Sequence, residues 1–473
     1  MMYPWKKLIA ILTLLVLLVT LFTGCPEQDL ATAEKPHTSA GTHWYFGFGR
    51  RQILPDESTN QPLYIAGYSS GKEITGVLDY CEARAVWLDT GAEGVLLIGI
   101  DCVALDSGTV GKIREALSDI PNCASINVYA THTHAGIDTL GLWGPIGVDG
   151  KNNDYMSALI DAAIDAGREA VSNRHSGTLY FGQVETKNMY RDSRDPQVFD
   201  ANLYQLRLSA DDGSAGLRLL FYGAHAESLR GSNTLLSRDY PGRLCDRVTE
   251  ATGDNTMFFP GAVGGLIMTR EFVDDIDTNA ETNLQITADT LTEYALSITP
   301  ETERQLSPSM ALSRAVFTVP MDNSVFLLYK LLGILTNKTV PVPSATGYGV
   351  ETELSILMLG DLALTLIPGE IFPELVYGGK SGDANPDGKN PDALCDIAAG
   401  YGIEEMLIIG LANDEIGYIV PPSDFLINEE LPYLDGVMDY KGEDHYEETN
   451  SLGPESATII AAAFETAVKA LTE

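Results

Sequence analysis

Short apolar runs of strand length, alternating with helical patterns, constrain the fold of this 473-residue chain more than any other feature. The strand-like runs are residues 93–105, 125–130, 203–210, 216–226 and 404–412, together with 353–368, which turns at Gly360-Asp361 as a hairpin does. Residues 154–171 and 453–471 instead place apolar side chains at helical spacing. Because no repeat or second linker follows Trp44, this pattern predicts one large layered α/β domain.

The N-terminus has the pattern of an export signal. Two lysines precede an apolar run over residues 8–22, which is short for a membrane span, and Thr23-Gly24-Cys25 follows in the manner of a bacterial lipobox. We therefore expect residues 1–24 to be a lipoprotein signal peptide, 25–43 a tether and 44–473 the folded domain. Lipidated Cys25 would anchor the protein to a membrane in the cell envelope. An uncleaved anchor and an ordinary secretory signal are the alternatives, and both also place the domain outside the cytoplasm.

Charge and cysteine usage exclude several classes of partner and site. The chain has 66 acidic against 30 basic residues, a formal net charge of −36 without a basic stripe, which excludes nucleic acid as a partner. Its six cysteines are scattered, so no pair has the spacing of a zinc ribbon or a redox motif. Free buried thiols are the expected role for most of them.

Two further stretches leave alternatives open. Residues 324–339 are strongly apolar, which fits either a buried core helix or a lid beside an active site. Residues 382–392 place Asp383, Asn385 and Asp387 in the order of a calcium loop, although Leu394 stands where such a loop has its glutamate. A weak Ca²⁺ site and a polar turn are therefore both possible there.

Three histidines stand where strands end. His132 and His134 follow the 125–130 run and, two residues apart, would face one cleft, while His225 follows the 216–226 run. A lone pair of histidines is as often structural as metal-binding, but a third at a neighbouring strand end favours zinc, which binds imidazole and carboxylate ligands. Spacing alone does not choose the remaining donor, for which the candidates are Glu370, Asn413, Asp414, Glu415 and Tyr418.

A series of motifs carries a family resemblance. In chain order they are FGFGRRQILP (46–55), AGY (66–68) followed by EARAVWL (82–88), THTHAG (131–136), NMYRDSRDP (188–196), GAHAESL (223–229), PGEIFPEL (368–375) and GLANDEIGYIVPPSDF (410–425). Together they resemble the catalytic domain of the neutral/alkaline non-lysosomal ceramidases, zinc amidases that split ceramide into sphingosine and a fatty acid. The resemblance covers residues 44–473 and implies that family's fold, a single large α/β domain with layered mixed sheets, without its C-terminal immunoglobulin-like domain.

The resemblance also implies a ligand set. Matched motif by motif, the zinc ligands are His132, His225, Glu370 and Tyr418. His134 lies beside the metal, where it would transfer a proton or merely orient a ligand. Arg191 would stabilise an oxyanion, with a structural ion pair as its alternative.

One position departs from the family. The stretch GAVGGL (261–266) places Gly264 where ceramidases have a serine that is implicated in catalysis. Three functions therefore remain in competition: a ceramidase-like amidase using zinc-activated water, a zinc hydrolase of another amide or ester, and an inactive binding lipoprotein. A small-molecule or lipid substrate is expected in each case, and the sequence gives no oligomeric state.

Overall fold

The computed structural model describes residues 31–55 and 61–472. The predicted signal peptide, Cys25 and the first residues of the predicted tether lie outside this range. The strands are β1 Ala31–Ala33, β2 His37–Ala40, β3 Trp44–Gln52, β4 Gly76–Val77, β5 Glu82–Asp89, β6 Gly94–Ile100, β7 Cys123–Ala130, β8 His175–Glu185, β9 Tyr190–Arg191, β10 Asn202–Ala210, β11 Leu217–Tyr222, β12 Leu235–Leu236, β13 Asn255–Pro260, β14 Met268–Thr269, β15 Arg304–Gln305, β16 Ser309–Pro320, β17 Thr339–Pro341, β18 Tyr348–Leu359, β19 Leu362–Leu366, β20 Glu370–Ile371, β21 Glu405–Ile409 and β22 Tyr418–Ile419. The α-helices are α1 Ser107–Ala116, α2 Asn153–Ser172, α3 Asp239–Thr252, α4 Ile276–Ser297, α5 Ser324–Leu331, α6 Pro373–Tyr377, α7 Leu394–Gly400 and α8 Ser456–Thr472.

Two mixed sheets form the centre of the molecule. The nine-stranded sheet has the order β13-β11-β10-β8-β3-β5-β6-β7, with β15 beside β8. The seven-stranded sheet has the order β1-β16-β18-β19-β21, with β17 beside β18 and β2 beside β16. Within them the pairs β6–β7, β11–β13 and β19–β21 are parallel and the others antiparallel. The sheets are therefore mixed, as predicted.

The two sheets pack face to face, and helices cover both outer surfaces. Leucines such as Leu97 of β6 and Leu364 of β19 meet in the buried layer between the sheets. Helices α1 and α2 pack on the outer face of the nine-stranded sheet, and α3 and α4 extend this cover over β11 and β13. Helix α8 packs on the outer face of the seven-stranded sheet, where Phe464 is fully buried. The result is a four-layer αββα domain, which confirms the predicted layered α/β class.

The FGFG segment of β3 owes its glycines to this packing. A β-carbon at Gly47 would stand 2.0 Å from the Ala170 carbonyl oxygen, and one at Gly49 would stand 2.0 Å from that of Ala166. Only glycine therefore lets α2 lie directly on β3. At its start, α2 is capped by the Asn152 side chain, which accepts the Tyr155 N–H at 2.9 Å.

Part of the predicted tether belongs to the fold. Strands β1 and β2 both pair with β16, with Ala31 opposite Phe317 and His37 opposite Leu312. The tether prediction is therefore wrong for residues 31–40. These short edge strands are held by backbone hydrogen bonds rather than by an apolar pattern, so their composition resembles that of a linker.

The hairpin and the apolar stretch have clear outcomes. Strands β18 and β19 pair antiparallel around Gly360, whose φ of +66° is the left-handed conformation that the turn requires. Of α5 only Leu327 is buried, while Leu331 is 61% exposed and Phe326 lines a pocket. The segment is therefore a pocket wall rather than a core helix. None of the helices in the described residues has the length and apolar character needed to cross a bilayer.

Candidate metal centre

Strand ends bring the first two predicted ligands together. His132 lies two residues beyond β7, and His225 lies three residues beyond β11. Thr133 and Ala226 form a parallel β-bridge, so the two segments run side by side immediately after their strands. His132 has φ +65°, an uncommon conformation for a non-glycine residue that often marks a functional site.

Strand pairing brings the other two together. Strand β20 begins at Glu370, four residues beyond the end of β19, and pairs parallel with β22, which begins at Tyr418. Glu370 and Tyr418 are partners in this register, so they occupy neighbouring positions in the two-stranded sheet. Glu370 and Tyr418 are 48 residues apart in the sequence, and the pairing of two strands of two residues each brings them together.

The imidazoles of His132, His134 and His225 form one buried cluster. Their ring centroids lie 4.5 to 5.5 Å apart, and a possible ligand nitrogen from each lies within 4.8 Å of the others. Within residues 31–55 and 61–472, this is the only group of three or more His, Cys, Asp or Glu side chains arranged to hold a metal ion.

The hydrogen bonds of these imidazoles aim acceptor atoms at a common point. His132 Nδ1 donates to the Val103 carbonyl oxygen at 2.7 Å, and His225 Nδ1 donates to that of Ile267 at 2.9 Å. This leaves each Nε2 to face the cluster, where Glu370 Oε2 lies 3.3 Å from the first Nε2 and 3.0 Å from the second. His134 Nε2 is 3.2 Å from His132 Nε2. Imidazole nitrogens and a carboxylate this close share either a proton or a metal ion, and a metal ion with nitrogen and oxygen ligands, such as zinc, fits these side chains.

Burial also keeps the protonation states suited to ligands. Burial lowers the pKa of His134 to about 3, so its imidazole is neutral at physiological pH. Burial raises the pKa of Glu370, but the His132 and His225 imidazoles outweigh it and lower that pKa below its ordinary value. Burial and the Glu370 charge both raise the pKa of Tyr418, so without a cation its phenol keeps its proton.

An apolar pocket of about 310 Å³ opens beside the cluster. His132, His134, Glu370 and Tyr418 line it, whereas His225 is fully buried behind them. The opposite walls are apolar and include Leu140, Trp143, Phe326, Leu335 and Val350. A site of this kind has room for an apolar chain next to the polar cluster.

Arg191 is not brought to the cluster. Its side chain is 54% exposed, donates to Glu271 Oε1 at 2.9 Å and does not line the pocket. The expected oxyanion role is therefore corrected to the alternative of a surface ion pair. In the same motif Arg194 is buried instead, and it bonds Asp424, Glu447 and Glu448.

Gly264 lies where no larger residue fits. A β-carbon there would be 2.5 Å from Phe372 Cδ2 and 2.6 Å from the Phe372 backbone nitrogen. The Gly264 N–H donates to the Ile371 carbonyl oxygen at 2.9 Å, which ties this loop to β20. The space that a serine would need is thus filled by the strand that presents Glu370.

Sequence reasoning missed three pocket residues, Gly67, Tyr68 and Glu227. Gly67, with φ +97°, lies so close to His134 that a β-carbon would be 2.3 Å from its Nδ1. Tyr68 donates its hydroxyl hydrogen to Glu227 Oε2. The His-x-Glu spacing from His225 could have indicated Glu227, and Gly67 and Tyr68 lie in the AGY motif (66–68) of the family resemblance, to which no role was assigned.

Two side chains of the predicted calcium loop have partners within the protein. Asp383 is paired with Lys441 and accepts the Tyr440 hydroxyl at 2.9 Å, while the Asn385 amide donates to the Pro422 carbonyl. These contacts agree with the polar-turn alternative, and the weak Ca²⁺ site that would also include Asp387 stays a prediction. The five described cysteines are free thiols, as expected.

Comparisons with known proteins support the fold. Neither the family models nor the curated proteins searched contain a match. The crystal structure of neutral ceramidase from Pseudomonas aeruginosa matches with a TM-score of 0.70 and 16% identity over 91% of this chain and 75% of that one. A ceramidase complexed with C2 matches with a TM-score of 0.67 and 15% identity over the same shares. At these identities, the likeness shows a shared fold.

Proposed function

We propose that the protein is a zinc-dependent hydrolase that cleaves the amide bond of a lipid or another N-acylated substrate. The observation that carries this proposal is the convergence of His132, His134, His225 and Glu370 acceptor atoms at one end of an apolar pocket. The ceramidase fold of the two structural neighbours agrees with it.

The ligand residues would be His132, His225, Glu370 and Tyr418. A bound divalent ion would supply a Lewis acid that polarises a carbonyl and lowers the pKa of water. The chain's part is to hold the donors rigidly, through the Val103 and Ile267 carbonyls that fix the two imidazoles.

His134 is suited to proton transfer or to a place beside the ligands. Its Nδ1 is buried without a hydrogen-bond partner, and its Nε2 faces the cluster. A neutral imidazole there can accept a proton and pass it to the leaving amine. Because Gly264 has no hydroxyl, the proposal uses water as the nucleophile. The apolar wall formed by Leu140, Trp143 and Phe326 would bind the acyl chain and exclude bulk water.

The predicted N-terminal signal supports a location. We place the domain outside the cytoplasm, held at a membrane by lipidated Cys25. Metabolic labelling with a radioactive fatty acid should mark the full chain and not the Cys25→Ser variant, and equal labelling of both would contradict the anchor.

A fluorogenic panel tests the activity. The panel contains N-acyl amides of short and long chains, a ceramide analogue and an ester of matched chain length. We expect the protein to hydrolyse a long-chain amide, and we expect a chelator to abolish this hydrolysis and added zinc to restore it. The activity should be lost in His132→Ala and kept in His43→Ala, a control at an exposed histidine. Preference for short amides or esters would favour the second candidate, and binding without turnover under any metal would leave an inactive lipoprotein.

A further inference from the structure

Glu227 lines the pocket and has one carboxylate oxygen without a hydrogen-bond partner. The residue is 6% exposed and lines the pocket two positions after His225. Its Oε2 accepts the Tyr68 hydroxyl, but its Oε1 is buried without any hydrogen-bond partner. Nearly all buried side-chain oxygens in proteins have such a partner, so this one calls for a physical reason.

Two basic side chains near the pocket donate elsewhere, while His134 Nδ1 and Arg230 Nε are, like Glu227 Oε1, buried without a hydrogen-bond partner. Arg230 donates to Met268 Sδ at 2.8 Å and to the Thr269 carbonyl at 2.9 Å. Lys330, a basic residue of the same pocket, donates to the Asn337 carbonyl. The Tyr68 hydroxyl has one hydrogen, and Oε2 takes it. The chain thus holds Glu227 in place without satisfying its second oxygen.

A buried carboxylate without a full set of donors is costly, and that cost is removed when a ligand supplies the donor. We infer that Glu227 is a specificity-determining residue that binds a protonated amine carried by the substrate, with Tyr68 holding the carboxylate in position. This rests on the proposed function and narrows its substrate class to N-acylated compounds with a cationic nitrogen. An ammonium group fits better than a hydroxyl because it donates a hydrogen bond and also offsets the charge.

Ligand binding tests the inference without requiring turnover. Titration calorimetry would be performed on the metal-loaded protein at neutral pH with hexylammonium, 1-hexanol and hexyltrimethylammonium. The three probes share an apolar tail for the pocket wall, but only the first is a cation with N–H donors. We expect hexylammonium to bind at least about tenfold more tightly than either of the others, as a charge-assisted hydrogen bond implies. Equal affinity for the three probes would overturn the inference, and this comparison needs no variant.

A matched pair of variants assigns the effect to Glu227. Glu227→Gln keeps the shape and the oxygen that Tyr68 bonds, whereas Glu250→Gln removes an equal charge from an exposed position on α3. The tenfold preference should disappear in the first variant, with metal content unchanged, and persist in the second. Hexylammonium binding that survives in Glu227→Gln would place the amine on the metal or elsewhere and would refute the assignment.

The two proposals fail in different ways. If no amide or ester is hydrolysed but the preference for hexylammonium depends on Glu227, the hydrolase proposal is refuted and the assignment of Glu227 to amine binding is retained. If amides are hydrolysed without any preference for a cationic substrate, the hydrolase proposal stands and the role of Glu227 falls.

Discussion

At the residue scale, the cluster of His132, His134, His225 and Glu370 depends on glycines that lie in close contact with it. Gly67 backs directly onto His134, and Gly264 backs onto the backbone that leads from Glu370 to Phe372. Neither glycine offers chemistry of its own. Each fixes the position of a residue that does, because a single methyl group would occupy the space of a ring or a strand.

Replacing Gly67 tests this at His134. Gly67→Ala should displace the imidazole and reduce turnover at least about tenfold, as small misplacements in active sites do. Gly71→Ala is the control, because Gly71 has a similar φ of +73° but nothing within 4 Å of its β-carbon position. It should cost about 1 kcal/mol of stability through backbone strain and leave kcat unchanged. Equal losses of turnover in both variants would mean that strain, and not contact with His134, is responsible.

A serine at position 264 should not raise activity. Gly264→Ser places a β-carbon against Phe372 and should lower the free energy of unfolding by about 1 to 3 kcal/mol, as overpacking does. Gly111→Ser is the control, since its β-carbon position in α1 has no neighbour within 4 Å. Denaturant unfolding measures both. A serine variant that is as stable as the wild type and more active would contradict the packing seen here.

At the element scale, a buried ionic network supports the wall of the pocket. His445 is 1% exposed, and its Nδ1 lies 2.7 Å from Glu448 Oε1. Arg194 bonds Glu448 and Glu447 in the 3₁₀ turn Glu447–Asn450. This turn contacts β22, and Asn450 lines the pocket. The network therefore fixes the segment beside Tyr418.

The network predicts a pH dependence of stability. Burial lowers the pKa of His445, but Glu448 outweighs it, so the pKa is raised; burial likewise raises the pKa of Glu448, but His445 and Arg194 lower it overall. The histidine's contribution is present below its ordinary pKa of about 6.5 and is lost as pH rises through the folded-state value. The glutamate's contribution is present above about pH 4.3 and is lost as pH falls.

His445→Gln measures the histidine's share. Denaturant unfolding should show a loss of about 1 kcal/mol or more near pH 5.5 that shrinks by pH 9. The exposed His43→Gln controls for removal of an imidazole. A loss for His445→Gln that grows with pH would contradict the assigned sign.

The strands and helices also differ in how well they could be predicted from the sequence. The long strands and α2 were found because their apolar periodicity records which face is buried. Edge strands β1 and β2, and the two-residue pairing of Glu370 with Tyr418, depend on backbone hydrogen bonds and leave no such pattern. His132 and His134 stand out as a pair, and the family resemblance supplied the other ligands. Arg191 was misjudged because a motif fixes residue type, not the direction in which a side chain points.

At the scale of the whole molecule, the candidate centre joins the two sheets. His132 and His225 follow strands of the nine-stranded sheet, whereas Glu370 follows β19 of the seven-stranded sheet. An ion held by all three would link the two sheets and would bind only the folded state.

Metal removal should therefore destabilise the domain. At free zinc about a thousandfold above its Kd, the ion contributes about 4 kcal/mol, so a chelator should lower Tm, and added zinc should restore it. Scanning calorimetry of wild type and His225→Ala makes the comparison. The variant should resemble the chelated wild type and show no further response to zinc. An identical Tm of the wild type with and without metal would contradict this prediction, because it would mean that metal binding does not stabilise the fold.

The most direct test of the central claim is the zinc content of the purified domain, measured by mass spectrometry of the metal. The account predicts about one zinc per chain in the wild type and in His43→Ala, and almost none in His132→Ala, His225→Ala and Glu370→Ala, since loss of one protein ligand opens the site. Full zinc content in the three ligand variants, with each still folded, would contradict it.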